Sequence, residues 1–481
     1  MKKALLSISA SAIAAGLAAQ AFAQSSGSNP AEQHAQAVAE FGGEVSGSTG
    51  AYVTNVGQRV AAQAGGTYRI TTLNSPVNNA FAMPGGYVYV TRQLLGLMDD
   101  EAELASVLGH EVGHLAANHP RERQSAVRRN SIFGAIGQVL AGVIGGGSGI
   151  GQVLQQVIGT GTMAMTTSFT RGQEYEADDL GVTYLARAGY DPNASASLLA
   201  SLGDATALEA RASGRDDQRM TPSWARTHPL SADRVRRATQ RSQQTGRAGS
   251  GLRNRDQFLA QIDGLIVDDD PRQGIVDGRT FRHPDLRLAF TVPQGYVMQN
   301  GTRAVSVAGQ SGQAQFSTLP FNGNLGTYIG QVYQSLVGQQ AGQLRMSQPR
   351  SATINGLPVA YTTARMATQQ GQVDVSVVAY QFDSNSAYHF ATVTQAGAGM
   401  GPFSSMINSV RRLSTSEAAS IRPRVLDVVT VRSGDTVQSL AGRMAYDDLR
   451  LERFMTLNSL QANSTLRPGD KVKLVVYGAR V

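Results

Sequence analysis

Two histidines four residues apart, with a glutamate directly after the first, constrain this chain more than any other feature. The stretch reads His110-Glu111-Val112-Gly113-His114. On an α-helix, residues i and i+4 lie on one face, so both imidazoles can reach one metal ion from the same side. Glu111 lies about 100° round the helix and can reach a water on that metal. Imidazole nitrogens suit Zn²⁺, which lowers the pKa of a bound water to about 7.

The helix around this pattern carries its own boundary signals. Asp99 and Asp100 can cap its N-terminus, and it is expected to end near Asn118. His119 lies five residues after His114 and is therefore rotated from it by about 140°. We interpret His119 as a residue that supports the site from behind rather than as a ligand.

A second helix is expected to supply the third ligand. In Glu174-Tyr175-Glu176-Ala177-Asp178, the first and last carboxylates are four residues apart and share a helical face. A carboxylate is the expected third ligand when two histidines come from one helix. Asp178 can then orient a histidine N–H, whereas Glu176 points elsewhere. The alternative is a solvated acidic helix.

A histidine before a proline is the next candidate. His228 lies in the loop Thr227-His228-Pro229-Leu230, and Ser231 can cap the helix that carries Arg234. Four roles are open for His228: a fourth ligand, a plug over the metal, a donor to the oxyanion, or a surface histidine. Arg234 is a second candidate for the oxyanion donor.

A pair of strands upstream is expected to border the cleft. Tyr68–Leu73 alternates like a strand, and Asn79–Gly86 turns into the strand Tyr87–Val90. A strand beside the active helix of a peptidase commonly pairs with the substrate backbone. We therefore predict that Asn79, Ala80, Phe81 and Ala82 bind substrate, with ordinary core packing as the alternative.

The N-terminus has the pattern of a secretory signal peptide. In residues 1–23, Lys2 and Lys3 precede an apolar run, and Ala21-Phe22-Ala23 fits cleavage after Ala23. A short membrane anchor is the alternative. The chain has no cysteine, which excludes disulfides, thiolate ligands and a lipidated cysteine. The formal charge of +7 falls to +5 without these two lysines, and this mild excess does not indicate nucleic-acid binding.

An apolar, glycine-rich segment separates the two parts of the proposed metal site. It covers residues 132–165 and is interrupted by Gly145–Gly149. Neither half has the ~20 residues of a comfortable membrane-spanning helix. Three interpretations stay open: buried core packing, a loop or hairpin that contacts a membrane or covers the active site, and a true membrane-spanning segment.

The pattern along the chain predicts an α+β protein with several parts. A mainly helical zincin peptidase domain with a small β-sheet covers 30–245, and 246–280 is a linker with a short helix. An α+β domain without a catalytic cluster follows at 281–413. The last part, 426–477, has the order β-α-α-β.

Several motifs occur together within residues 30–245: His110–His114, Glu174–Asp178, Thr227-His228-Pro229 with Arg234, and Asn79–Gly86. This combination resembles the HtpX-like zinc metallopeptidases, which are gluzincins related to the CAAX prenyl proteases, and among them the exported periplasmic members of the BepA and LoiP type. The resemblance implies one zinc ion per chain on His110, His114 and Glu174. It also implies Glu111 as general base, Asp178 behind the ligands, and a histidine of the His-Pro motif that restrains activity.

Two further resemblances concern the rest of the chain. Residues 281–413 resemble PsbP-like domains. The Gly434-Asp435-Thr436, Asn458 and Pro468-Gly469-Asp470 elements resemble a LysM module, which implies peptidoglycan as a partner of residues 426–477. BepA-type proteins continue into helical repeats and this chain does not, so partner recognition does not carry over.

The sequence thus leads to one functional expectation and two rivals. We expect a periplasmic zinc metalloendopeptidase that acts on unfolded, misfolded or unassembled envelope proteins, associated with the membrane or the cell wall. One rival is a chaperone or cell-wall scaffold whose zinc site is structural or plugged. The other is a peptidoglycan peptidase.

Overall fold

The computed structural model of the protein describes most of the chain, namely residues 29–122, 169–212, 224, 228–337, 345–368, 371–461 and 463–479. The signal peptide predicted at residues 1–23 and the apolar segment 132–165 lie outside these residues. The chain divides into two compact units. One contains the described residues up to Asp270 together with those from Arg422 onward, and the other is Pro271–Ile421.

The first unit is mainly helical and contains two small sheets. Its helices are α1 (Pro30–Glu40), α2 (Gly47–Ala61), α3 (Arg92–Leu97), α4 (Glu101–Ala116), α5 (Arg171–Arg187), α6 (Ala194–Ala212), α7 (Ala232–Gln244), α8 (Arg255–Ile262), α12 (Val437–Ala441) and α13 (Arg450–Leu457). Its strands are β1 (Arg69–Leu73), β2 (Ala80–Met83), β3 (Tyr87–Thr91), β4 (Ile266–Val267), β17 (Arg424–Thr430) and β18 (Lys471–Tyr477).

The sheet beside α4 has the strand order β1-β3-β2. β1 runs parallel to β3, whereas β2 is antiparallel to it, with Phe81 opposite Tyr89. The β2–β3 turn uses Gly85 and Gly86, both at positive φ, which glycine adopts without steric cost. Among the described residues no strand pairs with the other side of β2, which packs on α4 as an edge strand.

The helix α4 begins where the sequence signals its start. The Asp100 side chain accepts a hydrogen bond from the Glu103 N–H at 3.0 Å, so it caps the first turn. The residues that follow are buried from Glu101 to His114, because β2, β3, α2, α5 and α6 pack round the helix. A helix this enclosed has little freedom to move its ligands.

The C-terminal β-α-α-β segment shares a core with the helices before it. β17 pairs with β18 and also with β4. Its apolar residues belong to the same buried cluster as those of α3, α4 and α6. The segment described from sequence as the linker 246–280 contributes Phe258, Leu259 and Ile262 to that cluster.

One buried lysine joins β18 to the start of α4. Lys473 is fully buried, and its ammonium donates to the carbonyl oxygens of Gly96, Leu97 and Met98 at 3.2, 3.0 and 2.6 Å. It also lies 3.1 Å from Asp99 Oδ1. A cation at the C-terminal end of α3 meets the negative end of the helix dipole, which makes its burial tolerable.

The second unit is an α+β domain built on two antiparallel sheets. Its elements are β5 (Ile275–Asp277), β6 (Thr280–His283), β7 (Leu288–Thr291), β8 (Val297–Asn300), β9 (Val305–Gly309), β10 (Gly312–Thr318), α9 (Leu325–Val337), β11 (Arg345–Met346), β12 (Arg350–Ile354), β13 (Leu357–Thr368), β14 (Gly371–Gln381), β15 (Ala387–Gln395), α10 (Ser404–Ser409), β16 (Arg411–Arg412) and α11 (Thr415–Ser420). The larger sheet has the order β11-β13-β14-β15-β10-β9-β8, with β12 also on β13, and the smaller one β16-β7-β6-β5.

The predicted fold class is confirmed: the chain is α+β, with a helical part that carries a small sheet and a final β-α-α-β segment. Among the described residues, no helix is both long enough and apolar enough to cross a membrane.

The Lys473 contact leads to a stability prediction. Lys473→Met keeps a long side chain but leaves three helix-end carbonyls and Asp99 without their cation, and we expect a loss of about 3–5 kcal/mol. Trp224, the only tryptophan, lies in the same unit, so its fluorescence during urea unfolding of the full chain follows this unit.

The matched control is Lys471→Met, since Lys471 is half-exposed and pairs with Asp256 at 3.3 Å. Such an exposed pair contributes about 0–1 kcal/mol. Equal midpoints for the two variants would contradict the role assigned to Lys473.

Candidate metal centre

Two helices approach closely where glycines replace larger residues. A Cβ atom on Gly181 of α5 would lie 3.0 Å from the backbone N of His110, and one on Gly113 of α4 would lie 3.0 Å from the Ala177 carbonyl oxygen. Only glycine therefore fits these positions without a shift of the backbone. Thr170 caps α5 and forms a capping box with Gln173, which fixes where the helix begins.

The close packing brings four donor side chains together. His110 and His114 from α4, Glu174 from α5 and His228 from the loop before α7 have ligand atoms that all lie within 4.8 Å of one another. The two Nε2 atoms of His110 and His114 are 3.1 Å apart. His228 Nδ1 lies 3.0 Å from Glu174 Oε1 and 3.3 Å from His110 Nε2. All four side chains are buried.

The carboxylate of Asp178 and the guanidinium of Arg234 lie behind these donors. Asp178 Oδ1 is 2.9 Å from His110 Nδ1, so it can accept that N–H and leave Nε2 for a metal. Arg234 donates through Nε and one terminal nitrogen to both Asp178 oxygens at 2.8 Å. Its other terminal nitrogen lies 2.7 Å from Glu174 Oε2. The same terminal nitrogen also donates to the Pro229 carbonyl oxygen at 3.2 Å, so all three nitrogens of the guanidinium have partners.

Burial and neighbouring charges shift the pKa values of the acidic side chains in opposite directions. Burial acts to raise the pKa of Asp178, but hydrogen bonds from Arg234 and His110 outweigh it and hold the pKa at about 2. Burial also acts to raise the pKa of Glu174, and His228, His114 and Arg234 outweigh it and lower the pKa. These two groups are therefore carboxylates at neutral pH.

Glu111 differs from the other carboxyl groups. Burial raises its pKa above the ordinary value, because the nearby His228 and His110 do not offset the loss of water. Among the described residues neither of its oxygens has a hydrogen-bond partner, although His228 Nε2 is 3.5 Å away. A raised pKa in a buried carboxyl group suits a general base that works near neutral pH.

The pKa values of the two histidines on α4 are also shifted in opposite directions. Burial acts to lower the pKa of His110, but the hydrogen bond to Asp178 outweighs it and raises the pKa. Burial lowers the pKa of His114 well below its ordinary value, so its imidazole is neutral at pH 7. A neutral imidazole has the lone pair that a metal needs.

The donor set fits a divalent cation. Three imidazoles and one carboxylate are ligands that Zn²⁺ accepts. The buried Nε2 of His228 has no hydrogen-bond partner among the described residues. Leaving a buried polar atom unpaired is costly, and a bound cation would offset that cost.

The predicted substrate strand packs against α4, the helix that carries His110 and His114. Ala80, Phe81 and Ala82 belong to the edge strand β2, which Asn79 precedes. The Phe81 ring stacks on Tyr89 with centroids 4.6 Å apart. The backbone of an edge strand can pair with an extended peptide.

Two aromatic residues at the site gave no sequence signal. Phe169 stacks on His114 with ring centroids 4.0 Å apart, and Trp224 stacks on His228 at 4.2 Å. Each stands within five residues of a motif, Phe169 before Glu174 and Trp224 before His228, but nothing in the spacing of the aromatic residues predicts these contacts. His119 lies beside His114, with 3.0 Å between their Nδ1 atoms, and not at the rotation of about 140° that a continued helix would give.

Comparison with known proteins finds similarity over two parts of the chain. Residues 48–242 match the profile of peptidase family M48, and residues 429–475 match that of the LysM domain. The Beta-barrel assembly-enhancing protease of Escherichia coli K12 is 32% identical over 203 residues, which cover 40% of this chain and 39% of that protein. The mitochondrial metalloendopeptidase OMA1 of Arabidopsis thaliana is 33% identical over 137 residues, or 28% of this chain and 26% of that protein.

These similarities have a limited extent. The match spans 39% of the length of the Escherichia coli relative. The solution structure of cyanobacterial PsbP from Synechocystis aligns with 29% of this chain and 98% of that chain at 9% identity, with a TM-score of 0.22. So low a score carries no argument about fold, and the PsbP-like character of residues 281–413 stays a prediction from sequence.

The site geometry leads to a prediction for the third ligand. Glu174→Ala removes the carboxylate between His114 and His228, and we expect zinc per chain to fall well below one ion, because fewer donors remain. Metal analysis of the dialysed protein measures this. The control is Asp179→Ala, an acid on the same helix that pairs with Arg237 outside the cluster. Unchanged stoichiometry in the Glu174 variant would exclude that residue as a ligand.

Proposed function

We propose that this chain, whose residues 48–242 form a peptidase domain of family M48 and whose residues 429–475 form a LysM domain, is a zinc-dependent metalloendopeptidase. One observation carries the proposal. Glu111, buried and without a hydrogen-bond partner among the described residues, lies beside a cluster of three histidines and Glu174. This is the combination of a general base and a ligand set that hydrolysis of a peptide bond requires.

Different residues of the chain have different roles in the proposed mechanism. His110, His114 and Glu174 are the proposed ligands of one zinc ion. When bound, zinc supplies a Lewis acid that polarises the scissile carbonyl and lowers the pKa of water. Glu111 takes the proton from the attacking water and passes it to the leaving amine. Asn79–Ala82 hold the substrate backbone as an added strand.

Arg234 acts through other residues in this scheme. Its contacts with Asp178 and Glu174 support a role in fixing both carboxylates and offsetting their charge, rather than a role as oxyanion donor. An oxyanion donor must have an N–H group free to face the reacting carbonyl.

His228 is proposed to close the site at rest. Its imidazole lies among the donors, 3.0 Å from Glu174 and 3.5 Å from Glu111. Stacking on Trp224 supports that position. A substrate carbonyl needs the same space, so His228 has to move before cleavage.

The proposed setting is the cell envelope. The signal-peptide pattern of residues 1–23 supports export to the periplasm. The name of the Escherichia coli relative, Beta-barrel assembly-enhancing protease, supports misfolded or unassembled envelope proteins as substrates. Contact of residues 132–165 with a membrane remains part of the proposal on sequence grounds alone.

A second candidate follows from the LysM domain, which favours peptidoglycan as a partner. The chain would then either be held at the cell wall or cut peptide bonds within it. Incubating the purified mature chain with denatured casein and, separately, with purified cell wall distinguishes a protein endopeptidase from a peptidoglycan peptidase. We expect cleavage of casein.

The role of Glu111 gives a direct test. Glu111→Gln keeps the size of the side chain but cannot take a proton, and we expect casein cleavage to fall by about 10²–10⁴-fold. Zinc content should not change, because Glu111 is not a ligand. Full activity in this variant would refute the assignment.

The closing role of His228 is tested separately. His228→Ala removes contacts with two carboxyl groups, and a hydrogen bond to a charged group stabilises by about 1.5–3 kcal/mol, so we expect casein cleavage to rise by roughly tenfold or more. The double variant with Glu111→Gln controls for contaminating protease. An unchanged rate would contradict the plug, and no cleavage by either the parent or His228→Ala, with zinc bound, would favour a chaperone or scaffold.

A further inference from the structure

The two histidines of α4 have different partners on the side away from the donor cluster. His110 Nδ1 faces the carboxylate of Asp178, which Arg234 holds in place. Within the part of the chain that the structure describes, His114 Nδ1 faces no carboxylate. Its partner is Nδ1 of His119, 3.0 Å away. Two ring nitrogens can form a hydrogen bond only if one carries a proton and the other does not.

The direction of this hydrogen bond follows from the other nitrogen of His114. Its Nε2 lies 3.5 Å from Glu174 and 3.1 Å from His110 Nε2, inside the donor cluster. For Nε2 to bind a cation, the proton of a neutral ring must be on Nδ1. His114 therefore donates, and His119 Nδ1 accepts.

The acceptor role of His119 fixes its own proton in turn. With Nδ1 as acceptor, the neutral ring of His119 carries its proton on Nε2. That atom lies 3.4 Å from Glu176 Oε2. The three groups form a chain that runs from the donor cluster to a half-exposed carboxylate, and one proton arrangement satisfies every member.

The backbone explains how His119 reaches this position. α4 ends at Ala116, and Asn118 adopts φ of 61°, a left-handed conformation that asparagine tolerates better than most residues. The chain therefore turns after the helix and brings His119 back beneath His114, where it is almost completely buried. The 140° rotation expected for a continued helix does not apply.

We propose that His119 and Glu176 are positioning residues that hold His114 with its proton on Nδ1 and its Nε2 lone pair directed at the metal. This inference rests on the proposed metal site. It gives the Glu174–Asp178 stretch three functions on one helix: Glu174 as a ligand, Asp178 behind His110, and Glu176 behind His114 through His119. One ligand is thus supported by an anion and the other by a neutral ring.

Zinc affinity tests the chain of contacts without reference to catalysis. The experiment titrates zinc into the metal-free full chain against a chromophoric chelator, in a Glu111→Gln background that prevents self-cleavage. His119→Phe keeps a ring but cannot accept a hydrogen bond, and we expect zinc affinity to fall by about 10–100-fold. His119→Asn offers an amide oxygen near the position of Nδ1, and affinity should recover to within a few-fold of the parent.

Glu176 provides a variant that should leave folding intact, because its side chain is 61% exposed. Glu176→Gln should weaken zinc binding by a few-fold, and Asp179→Asn, a neighbouring acid that pairs with Arg237, should leave it unchanged. The visible spectrum of the cobalt-substituted protein should change with His119→Phe and return towards the parent with His119→Asn.

Each outcome has a distinct meaning. Affinity of His119→Phe within twofold of the parent would overturn the inference, and so would equal losses in His119→Phe and His119→Asn, which indicate packing alone. If His119→Phe does not fold, unchanged affinity in Glu176→Gln overturns the role of Glu176. Absence of stoichiometric zinc in the parent would instead remove the proposed metal site itself.

Discussion

The approach of α4 to α5 at glycine residues is the contact on which the site depends. Gly113 and Gly181 let the two backbones come so close that a methyl group at either position would press on the opposite helix. At that spacing the side chains of His110, His114 and Glu174 meet. Small residues in these helices therefore decide the geometry of the metal centre as much as the ligands do.

Close packing buries several carboxyl groups away from water, and few cationic side chains lie near them to offset their charge. The histidines around Glu174 and Asp178, together with Arg234, lower the pKa of both carboxyl groups, whereas burial raises the pKa of Glu111. In the proposed mechanism this difference separates the ligand Glu174 and its neighbour Asp178 from the group that moves a proton.

Much of this was predictable because it depends on short-range periodicity. The four-residue spacing of His110 and His114, and of Glu174 and Asp178, defines a helical face whatever the rest of the fold does. The stacking of Phe169 on His114 and the contact of Lys473 with the end of α3 are different, since they join segments far apart in the chain. The return of His119 depended on one left-handed residue, Asn118, which helical periodicity cannot anticipate.

The burial of Lys473 also determines how the LysM domain can operate. If the module were joined by a flexible linker, the catalytic cleft could move through a volume that depends on the length of that linker. Here the last strand is anchored by its ammonium to the turn before α4, and its core is continuous with that of the peptidase helices. If the module binds a glycan strand, the cleft stays at one distance from that strand and in one orientation relative to it. Substrates would then be selected by where they pass through the envelope as well as by their sequence.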